Sequence, residues 1–280
     1  QSESLYQVRR QDGKLEIQGE ALREKPFVVF GIRGCDVKGM EVLDKVFLSD
    51  PVDGYYAARR QLGTIVSLAC GRPETSCFCK VFGIDAAAPA GDVITWMIGD
   101  ELYWEAQTEK GENLTAQVRD LLTDGDAAAV EAEQTAIRAI IEKLPNSNLS
   151  LVGWGAEAAD KRFDSPIWEQ LYKPCLACGT CTFVCPTCQC YDIKDYSTGT
   201  GVQRFRCWDS CMYSDFTMMA HGTNRPTQKE RFRQRFMHKL VYYPENNDGI
   251  FGCVGCGRCL SKCPVSMNIV KVMKFLGGKA

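Results

Sequence analysis

Short apolar runs alternate with helical patterns in the first part of the chain. The runs Pro26–Ile32 and Gly63–Ala69 are rich in β-branched and aromatic residues, and a glycine follows each of them, as is typical of strands. Between these runs, Lys38–Phe47 and Gly54–Gln61 carry apolar residues at helical spacing. The order strand, helix, strand predicts two parallel neighbours in one sheet.

A hairpin and a long helix complete this pattern. Asp92–Ile98 and Glu101–Ala106 are predicted strands that a Gly-Asp turn joins. Ala127–Leu144 is rich in alanine and carries apolar residues near a 3.6-residue period, which predicts a helix. We therefore expect an α/β domain over residues 1–160.

The second part of the chain has a different pattern, in which two dense cysteine runs flank a long insert at residues 186–252. Within the insert, Arg225–Tyr243 is predicted to be helical because large apolar residues recur at every fourth position. Asn268–Leu276 is a further predicted helix. We expect residues 161–280 to form a mainly helical ferredoxin-like domain, and not the small β-rich ferredoxin.

Composition and charge narrow the class of protein. The 280 residues are 45% hydrophobic, as in globular proteins, and the formal net charge is −2, which gives no reason to expect a nucleic-acid partner. No apolar run approaches the length that crosses a bilayer. Sixteen cysteines in such a chain predict a reducing compartment, and we expect the cytoplasm.

One cysteine pattern, C-x2-C-x2-C-x3-C-P, occurs twice, and it is the run that holds [4Fe–4S] clusters in bacterial ferredoxins. Three closely spaced thiolates hold three irons of one cube, while the fourth cysteine completes the neighbouring cube. Site 1 is accordingly assigned to Cys175, Cys178, Cys181 and Cys263, and site 2 to Cys253, Cys256, Cys259 and Cys185. Structural zinc sites use pairs of ligands separated by a longer loop, and disulfide frameworks belong to small secreted chains, so both alternatives are disfavoured.

Four other cysteines are predicted to meet at one edge of the α/β sheet. Cys35 follows one predicted strand, Cys70 closes the next, and Cys77 and Cys79 lie in the loop beyond. Ligands collect beyond the carboxyl ends of parallel strands, so these four thiols, site 3, are the ligands expected for a third [4Fe–4S] cluster. Zinc also fits four thiolates, and buried free cysteines are the simplest alternative.

The last four cysteines, which we call the accessory thiols, are Cys188, Cys190, Cys207 and Cys211. The first two are so near Cys185 in the chain that ligands for another metal would be crowded. Packing around the clusters, with S–H donors that tune their potentials, is favoured over a further metal site.

Six basic residues stand in or beside the predicted helix of the insert: Arg225, Lys229, Arg231, Arg233, Arg235 and Lys239. They form either a solvated polar face, a docking surface for a partner subunit, or a set of cations that favours a reduced cluster. The sequence leaves these alternatives open.

Six segments resemble the family that comprises the A subunits of anaerobic sulfite reductases and the β subunits of sulfhydrogenases. They are Phe30-Gly-Ile-Arg-Gly-Cys-Asp36, Tyr55-Tyr56 with Arg59-Arg60, Cys77-Phe-Cys79, Cys185-Pro-Thr-Cys-Gln-Cys-Tyr-Asp192, Trp208-Asp-Ser-Cys211 and Cys253-Val-Gly-Cys-Gly-Arg-Cys259. The resemblance covers nearly the whole chain. It implies an iron–sulfur subunit that pairs with a flavin- and NAD(P)-binding reductase subunit, and it supports the four cysteines of site 3 as ligands. Cys207 is less typical of the family.

The sequence thus predicts an electron-transfer subunit with no substrate site of its own. It would relay electrons from the reductase subunit to a terminal catalytic subunit of hydrogenase, sulfite reductase or heterodisulfide-reductase type, or in the reverse direction. Two alternatives remain: a cluster with an open iron that binds substrate, and a docking scaffold that carries two clusters only. With only His221 and His238 and no nucleotide-binding loop, the chain offers no other catalytic constellation.

Overall fold

The computed structural model describes residues 2–156 and 162–277. The strands are β1 Ser2–Gln11, β2 Lys14–Gly19, β3 Phe27–Ile32, β4 Gly63–Leu68, β5 Val93–Ile98, β6 Glu101–Ala106, β7 Tyr191–Ser197, β8 Gly201–Trp208, β9 Met218–Met219 and β10 Gly222–Thr223. The α-helices are α1 Gly34–Phe47, α2 Gly54–Leu62, α3 Glu109–Gln117, α4 Ala127–Glu142, α5 Trp168–Leu171, α6 Thr180–Phe183, α7 Gln228–Met237, α8 Tyr243–Asn246, α9 Arg258–Ser261 and α10 Ile269–Leu276. Within the described ranges, no helix combines the length and apolarity needed to cross a bilayer.

One four-stranded sheet has the order β3-β4-β5-β6 and forms the α/β part of the chain. β3 pairs with β4 in parallel, as the strand, helix, strand pattern predicts, and β4 pairs in parallel with β5. β5 and β6 form the predicted antiparallel hairpin. α4 covers this sheet, with Ile137 and Ile141 packed in one core with Trp96. The carboxyl ends of β3 and β4 therefore lie side by side.

A second sheet has the order β2-β1-β8-β7, and all of its pairs are antiparallel. It joins the first strands of the chain to the insert between the two cysteine runs. The expectation that residues 161–280 are mainly helical is therefore wrong in part, because β7 and β8 form a hairpin within the insert. The physical reason is a tight turn, in which Gly199 adopts a φ of 82°, between two segments long enough to pair.

The predicted helix of the insert begins and ends close to its expected bounds. α7 starts after a capping box, in which Thr227 and Glu230 bond reciprocally to each other's backbone. A π-helical segment, His238–Tyr242, then leads directly into α8. Phe232 and Leu240 are buried in the largest core, where α10 also packs.

A largely buried ion-pair cluster ties the second sheet to the rest of the chain. Arg206 of β8 donates to the Glu3 carboxylate of β1 at 2.6 Å, and to Asp53 Oδ1, before α2, at 3.2 Å. The three side chains keep only 15–17% of their surface exposed. Burial opposes ionisation of Asp53, but hydrogen bonds from Arg206 and the Tyr56 amide lower its pKa overall. Arg59 of α2 also pairs with Glu3, so Arg206 is the cation that joins the two carboxylates of the cluster.

We expect Arg206→Ala to lower the free energy of unfolding by about 3 kcal/mol, because it leaves the largely buried Asp53 carboxylate without its cation, while Glu3 keeps Arg59. The control is Arg204→Ala on the same strand. Arg204 pairs with Asp195, and both side chains are exposed, so solvent screens the pair and its loss should destabilise the chain far less than the loss of Arg206. Denaturant unfolding of both variants is the measurement. If the two variants were destabilised equally, the buried ion pairs of Arg206 would contribute no more to stability than the exposed pair of Arg204.

Candidate metal centres

Four cysteines from both runs line one small internal cavity. They are Cys185, Cys253, Cys256 and Cys259, the set assigned to site 2, and Arg235 and Lys239 line the same cavity. Burial raises the pKa of Cys259 to about 12, an effect that Arg235 opposes and that nearby Cys185 and Cys256 increase. Cys185 thus lies with the three cysteines of the other run. A donor set of four thiols around one cavity fits a [4Fe–4S] cluster.

Two glycines allow the loop of site 2 to turn around its cysteines. Gly255 and Gly257 adopt φ angles of 59° and 74°, a left-handed conformation that strains other residues. The Gly255 amide donates to Cys253 Sγ at 3.5 Å. Backbone N–H donors aimed at ligand sulfurs are among the groups that set cluster potentials.

Of the cysteines assigned to site 1, Cys175, Cys181 and Cys263 come together from both runs, and Cys178 lies at the surface. Burial raises the pKa of Cys175; hydrogen bonds from Ala177 and Gln228 oppose the rise, and nearby Cys181 and Cys263 add to it. The Met267 amide donates to Cys263 Sγ at 3.2 Å. Cys178 is exposed, and hydrogen bonds with Thr180 lower its pKa. Site 1 therefore reaches the protein surface at Cys178.

The four cysteines of site 3 meet beyond the parallel strands, in the region where the sequence predicts them. Cys35 is the second residue of α1, directly after β3, and Cys70 comes two residues after β4. Burial raises the pKa of Cys79 to about 11, and nearby Cys77 and Cys70 add to the rise. Burial also raises the pKa of Cys35, with Asp36, Cys256 and Cys79 among its neighbours. The donor set is again four thiols.

Sites 2 and 3 are in direct contact. Cys77 Sγ lies 3.7 Å from the carbonyl oxygen of Cys256, and the Phe78 amide donates to the Gly255 carbonyl oxygen at 2.8 Å. Arg258, in the loop of site 2, forms a bidentate pair with Asp36, next to Cys35, with distances of 2.6 and 2.8 Å. The two loops therefore share backbone contacts and an ion pair.

Across the described ranges, no group of three or more Cys, His, Asp or Glu side chains is arranged to hold a single metal ion. A mononuclear zinc ion needs thiols that converge on one point, about 2.3 Å from the metal. A cubane binds one thiolate at each iron corner and so keeps its ligands farther apart.

The accessory thiols lie in two separate regions: Cys188, Cys190 and Cys211 in one, and Cys207 in the other. Cys188 lies 3.6 Å from the Arg235 guanidinium, and Cys211 donates to Cys190, which lowers the pKa of Cys190. Cys207, by contrast, lines a separate cavity between the second sheet and α1. The structure therefore does not bring the four accessory thiols together.

The six basic residues in or beside the helix of the insert do not all face the same way. Lys229 pairs with Glu169, and Arg233 stacks on the Phe163 ring at 3.6 Å from its centroid. Arg235 and Lys239 are instead buried and face the cavity of site 2. The sequence does indicate that Arg235 and Lys239 face inward. They stand four residues apart and lie on the side of the helix that carries the apolar Phe232.

Comparisons with known proteins identify the part of the chain that carries the two cysteine runs. A family model described as a 4Fe-4S dicluster domain matches residues 174–267, which contain both cysteine runs. The chain is 35% identical over 276 residues to the sulfhydrogenase 2 subunit beta of Pyrococcus furiosus, and the match covers 95% of this chain and 80% of that protein. No solved structure matches the chain.

Proposed function

Because the chain belongs to the family of sulfhydrogenase beta subunits, we propose that it is the iron–sulfur electron-transfer subunit of an oxidoreductase complex. The observation that carries the proposal is the cavity of site 2, which four thiols from two distant cysteine runs line together. A protein that only docked partners would have no need for this crossed donor set. The dicluster match to residues 174–267 supports the same interpretation.

The ligands follow from the two runs. Cys175, Cys178, Cys181 and Cys263 would hold the cluster of site 1, and Cys253, Cys256, Cys259 and Cys185 that of site 2. A [4Fe–4S] cluster supplies reversible one-electron storage when it is bound. The chain itself fixes the thiols, keeps water from the buried sulfurs of site 2 and directs amide donors to Cys175, Cys253 and Cys263.

A third [4Fe–4S] cluster at Cys35, Cys70, Cys77 and Cys79 extends the proposal. The contacts between sites 2 and 3 and the proximity of Cys181 to Cys259 support the order site 1, site 2, site 3. In this order, sites 1 and 3 are the two ends of the electron-transfer path. The exposed Cys178 at site 1 suits exchange of electrons with a partner at the surface.

The proposed partners are a terminal oxidoreductase subunit, together with a reductase subunit that binds flavin and NAD(P). The name of the Pyrococcus relative makes a hydrogenase-type terminal subunit our first choice, ahead of sulfite reductase and heterodisulfide-reductase types. Each proposed ligand set fills all four positions of its cluster with cysteine. The chain therefore has no open iron at which to bind a substrate.

Reduction of the anaerobically purified full chain tests this function. Reduced FMN should bleach the visible cluster absorbance, with uptake of about two electrons for sites 1 and 2 and about three if site 3 is loaded. NADH alone should leave the absorbance unchanged, because the chain lacks a nucleotide-binding loop.

Electron paramagnetic resonance of the reduced chain should show magnetically interacting clusters, since the sites are adjacent. Reduction by NADH without a partner, or a change in the spectrum when sulfite is added, would contradict the proposal and indicate an enzyme with its own substrate site.

A further inference from the structure

Two cations lie in the interior without a carboxylate partner. Arg235 and Lys239 are 2% and 4% exposed. Neither belongs to an ion pair with Asp or Glu among residues 2–156 and 162–277. Arg235 Nε is also buried without a hydrogen-bond partner.

Burial of a charge costs several kcal/mol unless an opposite charge and hydrogen bonds compensate. The hydrogen bonds of Arg235 and Lys239 offset only part of the free-energy cost of burying their charges. The Lys239 ammonium donates to Thr187 Oγ1 at 2.7 Å and to the Gly252 carbonyl oxygen at 2.9 Å, and Arg235 donates to the Cys181 carbonyl oxygen at 2.7 Å. The missing component is an anion in the space that the two cations face.

Cysteine sulfurs surround that space. Both cations line the cavity of site 2 beside Cys185 and Cys253, and the Arg235 guanidinium lies 3.6 Å from Cys188 Sγ. The carbonyl group that Arg235 bonds belongs to Cys181, a ligand proposed for site 1. A cluster held by four thiolates is anionic, and reduction adds one further negative charge. Arg235 therefore stands between two such anions, and Lys239 stands beside one.

We propose that Arg235 and Lys239 are the built-in counter-ions of the cluster pair and that they raise its reduction potentials, Lys239 at site 2 and Arg235 at both sites. This inference rests on the proposed function. The physical basis is that a fixed positive charge in a low-dielectric interior stabilises the more negative, reduced form, and solvent and salt screen it only weakly. The outward cations of α7, such as Lys229, lack this effect because they are exposed or paired with acidic residues.

The test is a redox titration of the full chain with Lys239→Met, followed by electron paramagnetic resonance. We expect the equilibrium constant for reduction of site 2 to fall at least tenfold, equivalent to a drop of about 59 mV for a one-electron couple. Lys229→Met, in α7 immediately before the π-helical segment that holds Lys239, is the matched control. Its potentials should equal those of the unmodified chain. Arg235→Gln should lower the potentials of both sites.

Iron content distinguishes the failure of this inference from that of the proposed function. An unmodified chain with clearly less than about eight irons would refute the two-cluster function itself. Full iron content with unchanged potentials in Lys239→Met and Arg235→Gln would overturn the role of the cations alone.

If a neutral variant fails to assemble its clusters, the charge-conserving Lys239→Arg and Arg235→Lys variants decide. Cluster assembly and near-normal potentials in these variants support a requirement for positive charge. Loss of clusters in the charge-conserving variants as well would assign the two residues to packing and overturn the inference.

Discussion

Replacement of Cys77 and Cys79 by serine is expected to lower the iron content of the anaerobically purified chain from about twelve to about eight atoms. The reason is that both thiols belong to site 3, where they lie with Cys70 and Cys35 beyond the parallel strands. Loss of two of four thiolates leaves too few ligands for a cubane. Sites 1 and 2 keep all their ligands and should keep their signals.

Iron and sulfide analysis, with electron paramagnetic resonance of the reduced chain, makes this measurement. Cys207→Ser is the matched control, because Cys207 lines a separate cavity beside the second sheet. It should retain the full iron content. Unmodified chain with about eight irons, and no loss on replacing Cys77 and Cys79, would show that site 3 holds buried free thiols.

The α/β sheet illustrates what the sequence can predict. The run that becomes β4 is continuous and apolar because both faces of this central strand are covered, and Val66 is fully buried. The run that becomes β3 is also apolar, although this edge strand leaves Val28 and Phe30 exposed. The helical pattern between the two runs requires a crossover, which imposes the parallel pairing. Because the carboxyl ends of such strands meet at one edge, the proximity of Cys35 and Cys70 could also be predicted.

The second sheet could not be predicted in the same way. β1 and β2 are partly or wholly exposed. β2 alternates Leu15 and Ile17 with polar residues, but both apolar side chains are exposed, so the alternation does not mark a face that packs on a core. The backbone ladder and the buried Arg206 cluster hold the two strands to β8, and neither leaves a local pattern in the sequence. A signal for the β7–β8 hairpin did exist in Gly199, in the turn, and Gly201, at the start of β8. The division at residue 160 stays a prediction.

The roles of the basic residues depend on context that composition does not contain. Arg233 and Arg235 are two positions apart, yet one stacks on an exposed ring and the other is buried beside the cysteines. A count of charges treats them alike. Helical phase separates them, since Arg235 and Lys239 share a side of the helix with apolar core residues.

Gly257→Ala is expected to disrupt sites 2 and 3 together. A Cβ atom at this position would lie 2.6 Å from the backbone of Ser76, in the loop that leads to Cys77 and Cys79. The alanine would also keep a φ of 74°, which costs about 1–2 kcal/mol in itself. Because backbone cannot yield as a flexible side chain does, the two loops must separate, and cysteines of both sites move with them.

The glycine at residue 249 provides the matched control for this effect. Gly249 adopts a φ of 79°, but a Cβ there would meet nothing within 4 Å. Gly249→Ala should therefore show only the conformational cost of about 1–2 kcal/mol and should keep its full iron content. Gly257→Ala should unfold at a clearly lower temperature and lose iron from both sites, up to about eight atoms. If the two variants had equal midpoints and equal iron content, the close approach of the loops would not couple site 2 to site 3, and the sites would assemble independently.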